Sequence, residues 1–223
     1  MPTSLGLECS DLATLGARWA DGGLWSDIEA LAARAWAAPD GPERYLAWHH
    51  LLMAVGNFKR QPGRRVYPAP LPAVLHVRPP RSPSFAVPGT GHVVAEEDEA
   101  SWTLRIHGLG VPTLTPLLAA LWPGSHHVLD WRVFAGVVAL TLGGPEDLDL
   151  VRPGDVAALP DPTLAHYAQV RTVLRRVVDE CPEFNLPLVE RAAYELTQSV
   201  VGAQPGTRTW GQYRQELLLA ASQ

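Results

Sequence analysis

The chain has almost no cysteine: Cys9 and Cys181 are the only two in 223 residues. So low a count excludes a disulfide-built scaffold and a cysteine-based zinc site, and it suits a reducing cytoplasm. Lysine is scarcer still. Lys59 stands alone, and the other 17 of the 18 basic residues are arginines. Any chemistry that needs an amine nucleophile therefore has one side chain to draw on. Long apolar runs are missing too. The longest weakly polar run, Val133 to Gly144, is too short to cross a bilayer. The opening "MPTSLGLECSDL" has no basic start followed by an apolar stretch, so no secretory signal is expected there. Net positive charge is also lacking: the formal charge is −5, which weighs mildly against a nucleic-acid binder.

What is present begins with proline, at 21 residues about twice ordinary usage. It predicts short elements and many breaks. The length fits one domain, 1–223, with a real core. The periodicity predicts a mostly α protein in four parts. Residues 1–56 read as N-terminal helices, with Ser26 and Glu29 as a capping box. Residues 57–94 read as an irregular basic segment, with eight prolines between Pro62 and Gly91. Here Lys59, Arg60, Arg64, Arg65, Arg78 and Arg81 run without an intervening acid, so a locally basic face is expected on an acidic protein. Residues 95–142 read as three helices: an acid-led one ending at Gly108, one over Thr113–Leu121, and one from Asp130 to Leu142. Residues 143–223 are helical again, with caps expected at Asp161 and Asn185 and a last helix beginning near Thr209.

The third part holds the stretch "HGLGVPTLTPLLAALWPGSHHVLDW", His107 to Trp131. Gly108-Leu109-Gly110-Val111 between two helices makes a helix-hairpin-helix pattern. Glycines permit the tight turn, and the following helix offers unpaired N–H groups and a positive dipole end to a phosphate. An ordinary glycine corner between two helices accounts for the same residues. Asp130 follows Gly110 by 20 residues. Aspartate is a good N-cap, and a capping carboxylate can also serve chemistry.

Residues 104–140 resemble the core of the helix-hairpin-helix DNA glycosylase superfamily, and in particular bacterial proteins with an 8-oxoguanine-glycosylase-like fold. The resemblance rests on the 108–111 hairpin, the apolar helix after it, the turn at Pro123, and Val128-Leu129-Asp130 followed by Arg132-Val133. A weaker echo lies at Tyr167 and in Val189–Leu196. The resemblance implies that the hairpin grips the DNA backbone and that Asp130 stands beside the sugar of a flipped nucleotide. The reaction implied is base excision: a carboxylate stabilises the oxocarbenium that forms as the glycosidic bond breaks, or activates the water that traps it. The bifunctional members carry a catalytic lysine just after the hairpin. Pro112 occupies that place here, so the resemblance implies a monofunctional enzyme that leaves an abasic site.

Around this core, Trp131, Arg132 and His127 are candidates for pocket or DNA contacts. Lys59, Arg64 and Arg65 are candidates from the basic segment, and the facing of Arg191 and Tyr194 is open. His126 and His127 read more simply as a partly exposed turn pair. No metal site is expected. No cofactor is expected either, although a monovalent cation at the hairpin is compatible with the resemblance. The expected partner is double-stranded DNA with a modified base, met by a monomer in the cytoplasm. Repair of a damaged base and defence against phage DNA with hypermodified bases both fit, as does a non-catalytic helix-hairpin-helix module that only binds DNA.

Overall fold

The computed structural model describes residues 2–19, 23–39, 42–58, 84–86, 93–95, 111–158, 161–200 and 207–223. They are mostly helical: α1 (Cys9–Arg18), α2 (Leu24–Ala37), α3 (Pro42–Phe58), α4 (Val111–Leu121), α5 (Trp131–Thr141), α6 (Leu164–Glu180), α7 (Leu186–Val200) and α8 (Trp210–Ala221). Between α3 and α4, strands β1 (Ser84–Ala86) and β2 (Val93–Ala95) pair antiparallel with Phe85 opposite Val94. Strand β1 and most of β2 fall within 57–94, the segment read as irregular and basic. Aromatic and β-branched residues suit a pleated pair. None of the described helices is long and apolar enough to cross a membrane.

Within the span read as one domain, the chain forms two compact units: Met1–Trp19 with His127–Gln223, and Ala20–His126. In the second unit, α2 buries Trp25, Ile28, Ala32 and Ala35, while α3 buries Ala47, Leu51 and Val55 one turn apart. Against them α4 buries Leu114, Leu117, Leu118 and Leu121. The expected capping box at Ser26 is not formed. Helix α2 starts earlier, capped by Gly23 at φ 87, and Ser26 lies inside it. The reason is Trp25: it is buried and its indole Nε1 donates to Glu29 Oε1 at 2.7 Å, which engages the acid the box would have used.

The first unit is organised around α5. Every residue from Val133 to Thr141 is buried, so this helix is core on all sides rather than amphipathic. Helices α6, α7 and α8 pack round it, and α1 lies along α7. Helix α1 therefore belongs with the C-terminal helices, not with α2 and α3 as a continuous N-terminal part would have it. Cys9 and Cys181 are joined in a disulfide across 172 residues. Beside it, the Ser4 amide and hydroxyl both donate to the Glu180 carboxylate, at 2.7 and 2.6 Å. Two cysteines are too few for a scaffold, but they suffice for this one staple.

Helix α6 is capped by Thr163, not by Asp161. The Thr163 hydroxyl accepts the His166 amide and His166 Nδ1 accepts the Thr163 amide, both at 3.2 Å. Partial burial holds the His166 pKa below its usual value, which favours the neutral ring whose Nδ1 accepts. The expected cap at Asn185 is present, and the last helix starts beside Thr209, whose side chain caps it.

Close approach of α5 and α7 depends on Gly136. A Cβ there would stand 2.5 Å from Thr197 Oγ1. Glycine in a helix interior ordinarily costs about 0.5–1 kcal/mol relative to alanine. Gly136→Ala is nonetheless expected to destabilise, and Gly136→Val to cost about 1–3 kcal/mol. Urea melts of Gly136→Ala with and without Thr197→Ala check this. If Gly136→Ala raises the midpoint, the close approach is not what selects glycine.

Candidate functional site

The carboxylate of interest sits at the N-terminus of the buried helix α5. Asp130 is its N-cap, in extended conformation (φ −87, ψ 157), and Oδ1 accepts the Arg132 amide at 3.0 Å. That is the expected capping role. It also fixes the side chain where the chain reaches the surface between buried Leu129 and buried Val133: the Asp130 side chain is 19% exposed. Arg132 Nη1 lies 3.5 Å from the same oxygen. The guanidinium is held over two rings, Trp131 at 4.7 Å and Tyr194 at 5.2 Å from their centroids. Trp131 itself is 39% exposed, an unusual position for an indole in a unit with so complete a core. One helix end therefore presents a sheltered carboxylate, an arginine and an outward aromatic.

Helix α7 supplies the adjoining wall. Glu190 and Tyr194 are one turn apart and so share a face. Glu190 Oε2 accepts the Val128 amide at 3.4 Å, and Tyr194 lies beside Arg132. Burial raises the Tyr194 pKa, Arg132 lowers it, and Asp130 raises it, which puts the phenol within electrostatic reach of both. Arg191 points elsewhere, over the Trp19 ring at 4.4 Å. Residue 194 thus joins the site and 191 does not, a choice the helical period of α7 cannot make without knowing what it packs against.

His126 and His127 are not a partly exposed pair. They are 1% and 0% exposed. His126 packs on Trp122 at 5.6 Å, and His127 stacks on Tyr167 at 4.4 Å with 11° between the planes. His127 is therefore corrected from an outward DNA contact to a prop beneath the segment that leads to Asp130. The cause is aromatic: each imidazole has a flat partner to cover it.

Gly108, Leu109 and Gly110 of the hairpin, and Lys59, Arg64 and Arg65 of the basic segment, lie outside the described residues. The acid-led helix expected before Gly108 lies there too. Val111 is the first residue of α4, and position 112 falls in its first turn, where a missing N–H is harmless. Among the described residues no group of three or more His, Cys, Asp or Glu could hold a metal ion. A cavity of about 520 Å³ along α8, lined by Arg208, Gln212, Gln215 and Glu216 among others, includes none of the residues singled out above.

No family model, curated protein or solved structure matches the chain.

Proposed function

We propose that the protein is a monofunctional DNA N-glycosylase that excises a modified or damaged base from double-stranded DNA. The observation that carries the reading is the end of α5: a capping carboxylate, still partly open to solvent, beside an arginine and an exposed indole. Asp130 has the chemistry to face a developing oxocarbenium. Arg132 has the charge for a phosphate, and Trp131 the flat surface for a base out of its stack. The 108–111 hairpin adds a backbone grip by resemblance. Excision ends at an abasic site because Pro112 replaces the lysine a Schiff base would need, and Lys59 is the only lysine in the chain. The reading carries with it a monomer working on DNA in the cytoplasm. For the base itself, the Pro/Arg-rich composition of 57–94 motivates a hypermodified phage base as a candidate beside common damage.

The test is an abasic-site assay on duplexes carrying different modified bases, phage DNA with glucosylated cytosine among them. Breaks that appear only after alkali are expected. Breaks before alkali would show a lyase and overturn the lysine argument. A second reading has its own observation: Asp130 is engaged as cap and ion-pair partner, as a purely structural aspartate would be. Salt-dependent DNA binding with no base released from any duplex would favour that binding module.

A further inference from the structure

We propose that Tyr167 and Glu190 are positioning residues for Asp130, clamping the backbone that leads into it from two different helices. The inference rests on the glycosylase reading of Asp130 and deepens it.

The chain from His126 to Asp130 has no regular structure, so its amides must find partners outside a helix or sheet. Two of them find side chains. The His127 N–H donates to Tyr167 Oη at 3.2 Å, from α6, and the Val128 N–H donates to Glu190 Oε2 at 3.4 Å, from α7. The His127 ring lies flat on the Tyr167 ring, so one tyrosine holds both the backbone and the side chain of that residue. Leu129 is fully buried. Asp130 then closes the first turn of α5, its carbonyl accepting the Phe134 amide at 2.9 Å. Each successive residue from 127 to 130 is thus tied by a different contact.

A phenol with no exposed surface is a costly way to fill space, because its hydroxyl must be satisfied. Phenylalanine would pack as well. Burial pushes the Tyr167 pKa well above the usual phenol range, so Oη stays protonated and accepts as a neutral oxygen. Arg171, one turn along α6 and itself buried, adds its field to Tyr167. The polar atoms on α6 and α7 thus serve a segment whose notable product is the direction of one carboxylate. A displacement of about 1 Å at a reacting group can cost about a hundredfold in rate, so such a clamp has a kinetic purpose.

The experiment compares wild type with Tyr167→Phe, Glu190→Gln and Glu190→Ala. Three quantities are read: single-turnover base release, DNA affinity, and exchange of the His127 and Val128 amides. Glu190→Ala is expected to slow release about 10- to 100-fold with affinity held within about twofold, the mark of a lost transition-state interaction. Its Val128 amide should exchange faster. Glu190→Gln keeps an acceptor oxygen and should recover most of the rate; Tyr167→Phe keeps the stacked ring and should free only the His127 amide. An active wild type whose Tyr167→Phe and Glu190→Ala forms release base at full rate overturns the clamp alone. A wild type that releases no base from any duplex sinks the glycosylase reading, and this role with it.

Discussion

Asp130→Asn is expected to release base about a thousandfold more slowly than wild type, a loss of about 4 kcal/mol of transition-state stabilisation. The size follows from what the substitution removes and what it keeps. Asparagine caps a helix as well as aspartate, so the bond from the Arg132 amide has a replacement acceptor. The ion pair to Arg132 is lost, but at a partly exposed site such a pair contributes only about 0–1 kcal/mol. Folding stability should therefore change little. The negative charge that would face an oxocarbenium is gone entirely. Matched urea melts beside single-turnover rates separate the two effects. Asp130→Ala makes the contrast, since it loses the cap as well and should unfold about 1 kcal/mol more easily. An Asp130→Asn protein with wild-type excision would leave the aspartate a cap and nothing more.

Reducing the Cys9–Cys181 bridge, or replacing both residues by serine, is expected to lower stability by about 2–5 kcal/mol. The bond closes a loop with 172 residues of sequence separation, so its removal returns a great deal of freedom to the unfolded chain. It also ties the start of α1 to the end of α6, where the Ser4–Glu180 hydrogen bonds are exposed and cannot replace it. Urea denaturation with and without reductant measures the difference, and a larger denaturant slope should accompany the reduced form. Identical midpoints, or two titratable thiols in the native protein under air, would refute the bridge's contribution. In a reducing cytoplasm the pair would be held as thiols. The cytoplasmic reading and the staple thus predict different stabilities in different compartments, and a thiol count on protein from cells tells which form exists.

Much of the first unit is readable from short stretches. Asp130 and Asn185 cap helices where their spacing to the following apolar residues predicts, because capping is a contact within one turn. The same local logic misplaces two starts. Ser26 and Asp161 are good caps in sequence, yet Trp25 draws α2 back to Gly23, and His166 gives Thr163 a reciprocal partner. In both cases the competing side chain sits within a few residues, but its weight comes from burial. The overall helical class and the capping role of Asp130 needed only periodicity and spacing, whereas its place at a site came from the resemblance.

What surrounds that carboxylate was open until the chain folded. Tyr167 is 40 residues from the amide it receives and Glu190 is 62 from its own. Nothing local marks either as a partner of the 127–130 segment. Helix α1 has the apolar stripe of any surface helix, and only its packing on α7 shows that it completes the C-terminal unit. His127 reads as a turn residue until a tyrosine from α6 covers it. Caps and helical periods are settled by neighbours along the backbone. Which side chains meet Asp130 is settled by how α5, α6 and α7 pack, since burial is a property of the assembled core and not of any one segment.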